Sequence, residues 1–138
     1  MQSRLAGRDA CTVPSGVVSA LVMTELIYRI ADPAALAAAS LSGAYEGEAH
    51  DKADGFIHAS SLDQLADTLE LHYAAVDRVA VAEIDVSALG DTLKWEKSRG
   101  GALFPHIYGP LPFDAVTGVH LIKRDDEGAW RLPPELSL

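Results

Sequence analysis

The apolar positions of this chain switch between a strand-like and a helix-like period, and each switch marks an element. Residues 26–30, LIYRI, are short and rich in β-branched side chains, which predicts a strand. Asp32-Pro33 then reads as the N-cap and first position of a helix over 34–40. Residues 43–54 are rich in glycine and acid, with Tyr45 and His50 embedded, and predict a long loop. Loops of that length inside a compact domain tend to be functional or mobile. A second short strand follows over 55–59. Ser61 and Gln64 then match a capping box, predicting a helix to about His72 with Leu62, Leu65, Ala66 and Leu69 facing the core.

Residues 79–86 are the clearest strand, buried on at least one side. The C-terminal third predicts strands over 93–96, 103–108, 115–123 and 130–132, the last two joined through Asp125-Asp126-Glu127-Gly128 as a hairpin. Strands dominate, two helices come early, and there is no βαβ alternation. The pattern is that of an α+β fold with a mostly antiparallel, bent or split sheet.

Composition bounds the function. With 138 residues, 49% of them hydrophobic, the chain is long enough for one domain with its own core. Residues 1–22 read as a leader or upstream-start extension, and 23–138 as a single globular domain that opens at Met23. Arg4 and Arg8 precede an apolar run, but Pro14 and Gly16 interrupt it, which argues against a signal peptide. The one cysteine, Cys11, excludes an internal disulfide and points to a cytoplasmic setting. No segment approaches the roughly 18 to 20 apolar residues of a membrane span. A net charge of −9, from 20 acidic and 11 basic residues, argues against bulk nucleic-acid binding. Lys94, Lys97 and Arg99 nevertheless form a basic island suited to one anionic group of a small-molecule ligand. No residue pattern specifies an oligomeric state.

That island lies within residues 94–112, where Trp95, Arg99, His106 and Tyr108 alternate with turn-forming glycine and proline. Such a mixture reads as a binding wall. Arg99 beside Gly100 and Gly101 is a candidate anion clamp, because the glycines let a ligand approach the backbone; the alternative is an ion pair with Glu96. His106 and Tyr108, two apart on a strand, project to one face. His58 leaves a strand just before Ser60 and the capped helix, where unpaired N–H groups favour an anion; the alternative is a hydrogen-bonded core histidine. His50, Asp51, Asp54, His58 and His106 include metal-ligand types, but no H-x-H or H-E-x-x-H pattern supports a metal, and none is assigned. Nucleophile-elbow, dinucleotide-fingerprint and P-loop motifs are absent.

Three blocks carry a family resemblance: Ile27-Tyr28-Arg29-Ile30, Asp54-Gly55-Phe56-Ile57-His58-Ala59-Ser60, and Trp95-Glu96 through Arg99-Gly100-Gly101 to Phe104-Pro105-His106-Ile107-Tyr108-Gly109-Pro110-Leu111. Together they resemble the signature blocks of the domain-of-unknown-function 952 family, over about residues 26–121. The resemblance implies an ADP-ribosyltransferase-like α+β fold whose two small sheets form a cleft for a nicotinamide dinucleotide, with NAD as the cofactor it suggests. On this chain it implies His58, Glu96 and His106 as catalytic residues, and Tyr28, Ser60, Trp95, Arg99, Gly100, Gly101 and Tyr108 as ligand-binding residues. Glu96, the only acid within the third block, would steady positive charge developing on a ribose. The expected function is therefore binding of a nucleotide-like or other anionic, ring-bearing small molecule, with transferase chemistry of the ADP-ribosyl type. The alternatives are a non-catalytic ligand-binding module and a protein-interaction module presenting Trp95, Phe104 and residues 110–113.

Overall fold

The computed structural model describes residues 25–136. The expected leader over 1–22 and the start at Met23 lie outside the described residues. Three antiparallel sheets form the frame. The central sheet has the order β1-β4-β8, from β1 (Leu26–Ala31), β4 (Arg78–Asp85) and β8 (Val116–Lys123). A second joins β3 (Ile57–His58), β6 (Leu103–Ile107) and β5 (Leu93–Lys97) in that order. A small third pairs β2 (Ala44–Tyr45) with β7 (Leu111–Pro112). Tyr28 and Ser60 exchange backbone hydrogen bonds of 2.8 and 2.7 Å, which stitches the first sheet to the second. The architecture is α+β with mostly antiparallel, split sheets.

Both faces of the central sheet are covered over β1 and β4, while Val119 and Leu121 on β8 stay exposed, and the alternation shows how. Ile27, Ala31, Ala80, Ala82 and Ile84 face one core with Leu36, Ile57, Ile107 and Leu111. Tyr28, Ile30, Val79, Val81 and Ile122 face a second core with Leu65 and Leu69. Helix α1 (Pro33–Ser42) begins where Asp32 accepts the Ala35 N–H at 3.1 Å, and it covers the first core through Leu36 and Ala39. Helix α3 (Leu62–His72) covers the second; Gln64 Oε1 accepts the Ser61 N–H at 3.0 Å, completing the capping box. Ala66, expected inward, is exposed: Leu65 and Leu69 are the buried positions of the helix, and Leu62 packs partly buried against the same core.

Residues 43–54 depart from the expected loop. They form β2 and a further short helix, α2 (Ala49–Asp54), so the described residues hold three α-helices rather than two. Six residues are too few for a self-supporting helix, and α2 is held instead by Asp51. Its Oδ2 accepts the Glu48 N–H at 2.7 Å, and its carboxylate is plugged into the protein interior. Residues 130–132 form no strand: a single bridge joins Trp130 to Arg124, and the turn at Asp125 closes on Ala129 with a 2.8 Å bond.

Candidate functional site

Arg29 sits mid-strand on β1, opposite Ala82, on the same face as Ile27 and Ala31. Its guanidinium is 1% exposed. A cation taken out of water needs charged or polar partners, and the fold supplies them to the two terminal nitrogens from separate elements, while Nε is buried without a partner. Both terminal guanidinium nitrogens contact Asp51 of α2 at 2.6 Å. One also donates to the His58 carbonyl at 2.9 Å and the other to the Tyr45 hydroxyl at 2.9 Å. The Tyr45 hydroxyl in turn donates to a Glu48 carboxylate oxygen.

Asp51 is the hub. Its Oδ1 accepts the His58 backbone N–H at 2.9 Å and faces the His58 Nδ1 at 2.7 Å. Burial alone would raise its pKa, but hydrogen bonds from His58 and Arg29 outweigh burial and hold the carboxyl well below the usual carboxylate range. The close positioning is made possible by Gly47, whose φ is +91° and where a Cβ would lie 2.9 Å from Asp51 Cβ.

The second nitrogen of His58 lies 2.8 Å from Asp54 Oδ2. A carboxylate only accepts, so two carboxylates on the two ring nitrogens select the doubly protonated imidazolium. The Asp51 hydrogen bond raises the His58 pKa, burial opposes it, and Asp54 adds to the rise.

A second carboxylate–histidine unit stands on the neighbouring strands. The register places His58, His106 and Lys94 in one row across β3, β6 and β5, while Ile57, Ile107 and Leu93 form the inward row beneath. Glu96 Oε1 lies 2.8 Å from His106 Nδ1 and accepts the Tyr108 hydroxyl at 2.7 Å. In the neutral ring this places the proton on Nδ1 and leaves Nε2 as the basic nitrogen. Hydrogen bonds from His106 first and Tyr108 second lower the Glu96 pKa, so it is a carboxylate throughout the neutral range. Phe56 joins the two units: its ring stacks on His106 at 4.0 Å and lies 4.7 Å from His58, with the two imidazoles 5.9 Å apart. Beside them Phe56, Asp51, Lys52 and Gly109 line a groove of about 330 Å³.

Of the residues singled out from the sequence, the structure gathers His58, Glu96, His106 and Tyr108. The remainder lie elsewhere. Trp95 is 39% exposed but alternates with Lys94 and Glu96, so it projects from the other face of the sheet. Tyr28 packs in the second core at 5% exposure. Ser60 is buried, 3.3 Å from the Thr68 hydroxyl. Gly100 and Gly101, with φ of 69° and 81°, close the β5–β6 hairpin, where Ser98 N–H meets the Ala102 carbonyl at 2.9 Å. Arg99 lies in the same turn, and its side chain is outside the described part of the chain. Sequence reasoning missed Arg29, Phe56 and the central place of Asp51. The available signal was a permanent cation at a strand position flanked two residues away on both sides by core apolar residues.

An antiparallel α+β protein with two carboxylate-held histidines on one sheet defines the class. Residues 30–119 match the model of the family of proteins of unknown function DUF952, and the chain belongs to that family. It is similar to the crystal structure of CC0527 from Caulobacter crescentus, with 40% identity and a TM-score of 0.75 over 82% of this chain and 99% of that one. The solution structure of CC0527 is 41% identical, with a TM-score of 0.67 over 75% of this chain and 89% of that one. No curated protein matches the chain. Among the described residues no helix is long and apolar enough to cross a membrane.

Proposed function

We propose that the outer face of the β3-β6-β5 sheet binds a nucleotide-like anion and acts on it by glycosyl transfer of the ADP-ribosyl type, with NAD as the first ligand to test. The observation that supports this most is Glu96, a carboxylate fixed by both His106 and Tyr108 and kept ionised by them. An oriented negative charge of this kind stabilises the positive charge that develops on a ribose as its bond to a nitrogen ring breaks and the electron pair leaves with the ring. His58 has both ring nitrogens engaged by carboxylates, so the proton of the incoming acceptor goes to the ring of His106, which Glu96 orients through Nδ1. Lys94 in the same row and Lys52 on the groove supply positive charge for phosphate.

The test pairs binding with turnover. At a hundred times its dissociation constant a ligand adds roughly 2.7 kcal/mol of stability, several degrees in Tm. Glu96→Gln should preserve that shift while nicotinamide release falls about a hundredfold or more. No shift with any nucleotide would overturn the reading. Binding without release in the unmodified protein would reduce it to a binding module, the reading that the internally paired His58 favours.

A further inference from the structure

We propose that the outer edge of β8 pairs, antiparallel and about a two-fold axis, with β8 of a second copy of this chain. The surface lies on the central sheet and does not depend on the function proposed above. Strand β8 is the margin of that sheet, with no strand on its other side among the described residues. The chain returning from the turn at Asp125 meets the edge only at Trp130, beside Arg124.

The ladder fixes which groups face outward. Arg124 N–H donates to the Asp77 carbonyl at 3.1 Å, and in an antiparallel pair such inward bonds recur at every second residue. The register runs unbroken from Arg78 opposite Lys123 to Ala82 opposite Val119. Ile122 and His120 therefore bond inward to β4, and the N–H and C=O groups of Val119 and Leu121 point to the free edge. The side chains of these two residues lie on the same face as their partners Ala82 and Ala80. The first core takes in both alanines, but Val119 and Leu121 overhang it, 46% and 77% exposed.

Edge strands that stay single are usually blunted by charge or proline. Residues 115–122 contain no Asp, Glu, Lys, Arg or Pro. The net charge of −9 opposes self-association, yet none of it lies on this edge. Strand β5, the margin of the second sheet, is the contrast: its exposed Lys94 and Lys97 would meet like charge in a two-fold pairing.

The sequence of β8 selects one register. Outward groups pair only with outward groups, and setting Val119 against Leu121 of the second copy brings all four apolar side chains together on one face. A slip of two residues either way puts Leu121 against Thr117 or Val119 against Lys123. In the selected register the two His120 rings oppose each other on the other face, each with its own Glu83 carboxylate 3.7 Å away, and Lys123 opposes the neutral Thr117. A join of about five residues from each copy falls short of the roughly 800 Å2 per partner of a standard interface. The dimer is therefore a weak one, with a dissociation constant of about 10 to 300 µM.

Sedimentation velocity of the full chain from about 10 µM to about 1 mM tests this. Expected is a sedimentation coefficient that climbs from the monomer value to that of a dimer. Leu121→Lys puts like charges into the join and should weaken the dimer at least about tenfold. Leu121→Pro removes an N–H that only the second copy can use, and should weaken it as much with the β4 ladder intact. Leu41→Lys, at a still more exposed apolar residue of α1, should dimerise as the parent does. Urea midpoints equal to the parent's in Leu121→Lys and Leu41→Lys separate loss of the dimer from loss of the fold. A chain that stays monomeric at the highest concentration overturns the proposal. So does a dimer that Leu121→Lys leaves at parent affinity, or that Leu41→Lys weakens equally, because the contact then lies elsewhere.

Discussion

Replacing Asp51 by Asn tests whether the buried charge hub holds the site together. The substitution keeps the shape of the side chain and removes its charge. In the parent, Oδ1 faces one Arg29 nitrogen at 2.6 Å, the His58 N–H at 2.9 Å and His58 Nδ1 at 2.7 Å; Oδ2 faces the other Arg29 nitrogen at 2.6 Å and the Glu48 N–H at 2.7 Å. Whichever way the amide turns, its NH2 group meets at least two donors, and the guanidinium loses its counter-charge at 1% exposure. Breaking a buried pair from one side costs about 3 to 5 kcal/mol, a large share of the 5 to 15 kcal/mol of a typical domain.

At a urea slope of about 2 kcal/mol/M, the midpoint of Asp51→Asn should fall by roughly 2 M. Arg29→Met combined with Asp51→Asn should recover part of the loss, because the unpaired cation is gone. The pH dependence supplies a second arm. His58 has a folded pKa above its unfolded value of about 6.5. Its contribution is therefore fully present below about pH 6.5 and is lost as pH rises through the raised folded value. The parent midpoint should decline over that window, and the decline should flatten in Asp51→Asn. A midpoint fall under about 0.5 M, with the pH slope unchanged, would refute the reasoning.

Gly47→Ala should destabilise by about 1 to 3 kcal/mol, since it combines a φ of +91° with a 2.9 Å approach to Asp51 Cβ; calorimetry showing no fall in Tm would contradict the account of that turn. Phe56→Ala removes the ring stacked on His106 and should lower stability by about 2 kcal/mol, with a changed His106 imidazole resonance in NMR. An unmoved resonance would show that the ring does not join the two histidine units.

The parts of the fold that could be read from the sequence were those with a local cause. The capping box at Ser61 and Gln64 and the Asp32-Pro33 helix start act within four residues, and the apolar run over 79–86 fits a strand with both faces covered. The stretch over 43–54 could not be read that way, because α2 has no apolar stripe of its own and is fixed by a carboxylate that pairs with Arg29, 22 residues upstream. The same difference runs through the site. His106 and Tyr108 fell on one face because two-residue spacing places them there, and Glu96 joins them by simple cross-strand reach. Strand alternation also sets Trp95 opposite to Glu96, a consequence of the period of two that the sequence already contained. Tyr28 lies on a strand covered on both sides, which becomes visible only once α3 is packed against it.

The Arg29–Asp51 pair also orders the assembly of the protein. A six-residue helix has too few internal hydrogen bonds to persist alone, and Arg29 belongs to a sheet that must pair β1 with β4 across some fifty residues. Helix α2 can therefore settle only after the central sheet exists, and His58 gains its oriented ring at the same moment. A partly folded form with the sheet but without α2 would hold His58 without its Asp51 partner, so the orientation of that ring depends on α2 being in place. Hydrogen exchange should show the Gly55 and His58 amides, which donate to the Asp51 carbonyl and carboxylate respectively, opening together and before those of β4. Independent opening of the two amides would separate the helix from the site it is argued to complete.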